Sequence, residues 1–68
     1  MHPEDIKAAL RKRHTPPSQI ARDLGVSDQT VSLVIRGRTK SARVAERIAS
    51  VLDTTPDALW PGTYRRAA

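Results

Sequence analysis

A small residue, a glycine and a branched apolar residue stand at Ala21, Gly25 and Val31, and this spacing constrains the fold more than anything else in the chain. Two short helices meeting at a sharp corner need a small side chain where they cross, because a larger one would push them apart; Ala21 meets that need. The turn between them needs a positive φ, which glycine adopts without steric cost, and Gly25 stands there. A branched apolar side chain must then plug the angle between the helices, and Val31 is so placed. Ile20, Leu24, Val26 and Val34 complete a small shared core. The pattern predicts a helix–short turn–helix from Pro17 to Arg36, with the helices at about 90–120°.

The flanking sequence predicts an all-α protein, a compact bundle of four to five short helices with no strand. A first helix is expected over Pro3 to Arg13, with Glu4 and Asp5 at its positive end, Arg11 to Arg13 at its negative end, and Ile6, Ala9 and Leu10 as its apolar stripe. The second starts at Pro17, because Pro17 keeps Pro16 out of the α region, and it ends at Leu24 before Gly25. Ser27 caps a third over Asp28 to Arg36, stopped by Gly37, with Val31, Val34 and Ile35 inward. Ser41 caps a fourth over Ala42 to Leu52, its inner face made by Val44, Ile48, Val51 and Leu52. Thr55-Pro56 opens a last turn through Leu59 and Trp60, where Trp60 is expected to seal the core against the first and fourth helices. Tyr64 begins a tail, and residues 65–68 are expected to fray.

With 68 residues the chain has room for a single domain, 1–68, and a thin core. It has no cysteine, and His2 and His14 lack metal-ligand spacing, so neither a disulfide framework nor a metal site is expected. Self-association is then one of the few remaining sources of extra stability. No apolar run approaches the roughly 18–20 residues of a membrane span, and the acidic start at Glu4 and Asp5 does not resemble a secretory leader. A cytoplasmic protein is expected, with no membrane partner, no small-molecule ligand and no cofactor.

Lys and Arg number 12 against 7 Asp and Glu, a net charge of +5 that favours a polyanionic partner. Placement matters more than total. Arg36, Arg38, Lys40 and Arg43 follow the third helix with no acid among them, whereas an ordinary solvated face mixes signs. Arg11, Lys12 and Arg13 are explained by a helix C-terminus alone. A corner of two helices followed by an acid-free basic stretch points to double-stranded DNA.

Several segments carry a family resemblance: Ile6 to Arg11, Ile20 to Ser27, Val31 to Arg38, Glu46 to Ala49, and Leu59-Trp60-Pro61 with Tyr64. Pro17 to Arg36 resembles the helix-turn-helix of lambda-repressor-like domains, and the chain over about 2–65 resembles the Ner-like family of phage and bacterial regulators. Two places depart from that pattern: Thr63, where an Arg is expected, and the Pro16-Pro17 pair. The resemblance implies a transcription regulator, a repressor of phage or mobile-element type, reading paired half-sites about 34 Å apart as a homodimer on DNA.

The third helix would then lie in the major groove, presenting Asp28, Gln29, Ser32 and Leu33 to base edges. Gln29 is the strongest candidate, since its amide can bond adenine N6 and N7 together. Two roles stay open for Asp28: accepting from cytosine N4, or facing the helix dipole. Ser32 can reach a base or a phosphate, and Leu33, placed on an exposed face, suits a thymine methyl or a partner surface. Phosphate contacts are assigned to Ser18, Gln19, Ser27, Thr30, Arg36, Arg38, Lys40 and Arg43. Thr30 also suits support of the helix start. Because Pro16 and Pro17 have no amide hydrogen, Ser18 and Gln19 must supply the contact at the start of the second helix.

An antitoxin-like or adaptor protein, with a corner that binds protein, is the competing reading, favoured by an exposed Leu33. Enzymatic function finds no nucleophile–base–acid set, no phosphate-cradling glycine loop and no ligand cluster.

Overall fold

Proline opens three of the helices, at Pro3, Pro17 and Pro56, where a missing N–H costs no intrahelical bond. The computed structural model describes residues 1–64. Its elements in chain order are α1 (Pro3–Lys12), α2 (Pro17–Leu24), α3 (Asp28–Ile35), α4 (Ala42–Val51) and α5 (Pro56–Leu59). All are helical, as the sequence leads one to expect, and α2 packs most closely on α3. Arg13, Arg36 and Leu52, read as last helical residues, are instead the caps one position beyond. The expected fraying of residues 65–68 lies outside the described residues.

Side-chain caps account for most helix starts. Ser27 Oγ accepts from the Thr30 amide, Ser41 Oγ from Val44 and Thr55 Oγ1 from Ala58, while His2 Nδ1 accepts from Glu4. Only α2, capped by Pro16, begins without a side-chain acceptor.

The core is one apolar cluster: Ile6 and Leu10 of α1, Ile20 and Ala21 of α2, Val31, Val34 and Ile35 of α3, Val44, Ala45, Ile48 and Ala49 of α4, then Leu59 and Trp60. No polar or charged side chain is buried among the described residues. Each fully buried aliphatic side chain contributes about 1.5–3 kcal/mol. The expected stripes need two amendments. Ala9 is only half-buried, and the inner face of α4 is made by Val44-Ala45 and Ile48-Ala49, with Val51 and Leu52 at its margin. The two alanines let α4 lie close to α2, α3 and α5 at once.

Four helices leave through the same backbone device. At the ends of α1 to α4 the amides of Thr15, Val26, Arg38 and Thr54 reach back to the carbonyls of Leu10, Ala21, Leu33 and Ala49, at 2.9 to 3.0 Å. These are Schellman closures, each turning on a left-handed residue. Gly25 (φ +70°) and Gly37 (φ +75°) serve α2 and α3, but His14 and Asp53, both at φ +57°, serve α1 and α4.

The last carbonyl of each later helix is taken by a donor from elsewhere in the chain. Arg43 donates to Leu24 at the end of α2, the Trp60 indole to Ile35 at the end of α3, and Arg13 to Val51 at the end of α4. The Met1 ammonium donates to Leu59 at the end of α5. Carbonyls that an isolated helix leaves unpaired thereby join the elements to one another.

Candidate nucleic-acid interface

The apolar side of α3 faces inward through Val31, Val34 and Ile35, all at most 1% exposed. Helical spacing sets Gln29 and Leu33 on the opposite side, with Asp28, Ser32 and Arg36 in the adjoining row. Asp28, Gln29 and Arg36 are exposed, while Ser32 and Leu33 are half-buried. Leu33 is therefore not the exposed apolar residue that the sequence suggests, and it presents only part of its side chain.

Ser27 and Thr30 occupy each other. Their hydroxyls lie 2.9 Å apart, and Ser27 Oγ also accepts the Thr30 amide at 3.1 Å. Both assigned phosphate contacts thus serve first to fix the start of α3, leaving Gln29 free between them.

At the start of α2 the two residues expected to meet a phosphate differ in their surroundings. The Gln19 amide donates to Pro16 O at 2.9 Å, and its side-chain Nε2 donates to Asp23 Oδ1 at 2.9 Å. Asp23 in turn pairs with Arg47 of α4 at 3.7 Å. The backbone N–H of Gln19 and one of its two side-chain N–H groups are thus engaged within the chain, while Ser18 is exposed beside it. Asp23 and Arg47 were not singled out from the sequence, although the i, i+4 spacing of Gln19 and Asp23 on one helix is a usable signal.

Beyond α3 the chain turns through Gly37 into a wholly exposed stretch, Arg36 to Lys40, and then enters α4 at Ser41. Arg36, Arg38 and Lys40 form no ion pair among the described residues. Arg43 is different: its guanidinium donates to Leu24 O at 3.3 Å, bracing the corner from α4. All four cations grouped by sequence are exposed, and Arg43 alone also spends an N–H on bracing the corner.

The aromatic residues hold this basic stretch from behind. Trp60, 6% exposed, donates from Nε1 to Ile35 O at 3.1 Å, and Tyr64 Oη accepts from the Ser41 amide at 3.3 Å. Their rings meet edge to face with centroids 5.5 Å apart. Trp60 is buried as expected, but its polar edge faces the end of α3, and Tyr64 is packed against the core instead of beginning a tail. No group of three or more His, Cys, Asp or Glu that could hold a metal ion occurs among the described residues.

A family model described as winged helix-turn-helix DNA-binding matches residues 1–68. The chain belongs to this family. Among the described residues no strand follows α3, so this family member reaches α4 directly through its basic turn. A negative regulator of transcription from Escherichia phage Mu is 31% identical over 65 residues, covering 94% of this chain and 83% of that protein. No solved structure matches the chain. No helix is long and apolar enough to cross a membrane.

Proposed function

We propose that this helix-turn-helix protein is a non-enzymatic transcriptional repressor of the Ner-like group, encoded by a phage or mobile element. It acts in the bacterial cytoplasm as a single domain and binds operator DNA as a homodimer. Membership in a DNA-binding family and the likeness to a phage negative regulator support the reading. The observation that carries it is the continuity of the outer face of α3 with three exposed cations, Arg36, Arg38 and Lys40, that form no ion pair among the described residues.

With α3 in the major groove, Gln29 is the principal base contact and reads adenine through paired hydrogen bonds. Ser32 and the exposed part of Leu33 follow along the groove, Leu33 against a thymine methyl. Asp28 serves the helix dipole or accepts from cytosine. Arg36, Arg38 and Lys40 take phosphates on one side, and the Ser18 amide and hydroxyl take one at the start of α2. The adaptor alternative loses its main support, because Leu33 is half-buried and offers little apolar surface.

Titration of a labelled duplex over a range of salt concentrations tests the proposal. Three phosphate-bound cations per protomer, six in the homodimer, give a log–log slope of about −5.4. Absence of duplex binding at low salt would overturn it.

A further inference from the structure

Resting on the DNA reading above, we propose that Trp60 and Tyr64 form a clamp that sets the shape of the phosphate-binding loop, making them positioning residues for DNA. Besides the amides of Arg36, Gly37 and Arg38 that close α3, the loop Arg36 to Lys40 is held at two flanking backbone groups, the Ile35 carbonyl before it and the Ser41 amide after it. Trp60 takes the first at 3.1 Å and Tyr64 takes the second at 3.3 Å. The two rings lie four residues apart in sequence and touch edge to face at 64°, so the pair acts as one unit across both ends of the loop.

Neither contact is needed to form a helix. The Ile35 carbonyl is the last of α3 and is left over by its closure, in which Arg36, Gly37 and Arg38 take the Ser32, Val34 and Leu33 carbonyls. Ser41 caps α4 through its own Oγ, independent of its amide. The clamp instead restrains the exposed segment that carries Arg36, Arg38 and Lys40, which has no buried side chain to hold it. A loop fixed before binding loses less conformational freedom when its cations meet phosphates, and affinity rises accordingly.

Tyr64→Phe tests this, since it keeps the ring contact with Trp60 and removes only the acceptor for Ser41. Duplex affinity is measured for this change in the native background and again with Arg36, Arg38 and Lys40 all replaced by alanine. The clamp predicts a loss of about three- to tenfold in the native background, the range of one hydrogen bond. It predicts little further loss in the alanine background, because the loop then has nothing to position. Faster amide exchange at Ser41, with the exchange of core amides unchanged, is expected alongside. Equal fold-losses in both backgrounds, or none in either, would overturn the clamp while leaving DNA binding intact. Failure of the native protein to bind duplex would overturn the DNA reading and the clamp with it.

Discussion

The guanidinium of Arg43 donates to the carbonyl oxygen of Leu24 across 3.3 Å, so the first turn of α4 holds the last residue of α2. Sequence alone puts Arg43 in the same class as Arg38, and the structure separates them. Arg43→Ala is expected to lower unfolding free energy by about 0.5–1.5 kcal/mol, the usual range for one hydrogen bond. Urea denaturation of both alanine variants checks this. Arg38→Ala, exposed and unpaired, is expected to stay within about 0.5 kcal/mol of the native protein.

Arg38→Ala should show its effect on DNA instead. Loss of one phosphate contact per protomer, two in the homodimer, reduces the steepness of the salt dependence by about 1.8 and weakens all duplex sequences alike. Anisotropy titrations on several unrelated duplexes measure both. A sequence-dependent loss would mean that Arg38 touches a base.

Gly25 is required for its backbone alone. A Cβ built there meets nothing within 4 Å, yet φ is +70°. Gly25→Ala is therefore expected to destabilise by about 1–2 kcal/mol, the cost of the left-handed conformation, with no repacking of neighbours. Ala21, 1% exposed at the crossing of α2 and α3, fails for the opposite reason. Ala21→Leu is expected to cost about 1–3 kcal/mol or more through overpacking, also measured by urea denaturation.

The corner was legible because its requirements are local. A proline at a first turn, a serine cap and a glycine at positive φ each state their conformation in the residue type itself. His14 and Asp53 do the same backbone work as Gly25 and Gly37 but carry no such signal. The burial of Ala45 and Ala49 leaves little trace in the sequence, because alanine adds little to an apolar stripe. The contacts of Arg43, Trp60 and Tyr64 span 19 to 25 residues, and only the folded chain brings those groups together. The bonds of Gln19 to Pro16 and Asp23 are nearer in sequence, yet they too depend on the helix being formed.

Those two hidden turns give a route to a more stable protein. His14→Gly and Asp53→Gly each relieve a left-handed L-residue, offset in part by the added freedom of the unfolded chain. Each is expected to add about 0.5–1 kcal/mol, or several degrees in Tm for a domain of this size. They lie at the ends of different helices, so the gains should add in the double variant. Thermal denaturation of the two single variants and the double variant provides the check.

The central claim, that α3 reads base pairs, rests most directly on Gln29, exposed beside a start of helix fixed by Ser27 and Thr30. The decisive measurement is selection of bound sites from a randomised duplex library at near-physiological salt, with the native protein and Gln29→Ala in parallel. The native protein is expected to enrich a site with two-fold symmetry, and Gln29→Ala to lose preference for adenine at one position in each half-site while retaining the rest. An identical preference in both proteins, or no enrichment by the native protein, would contradict the account.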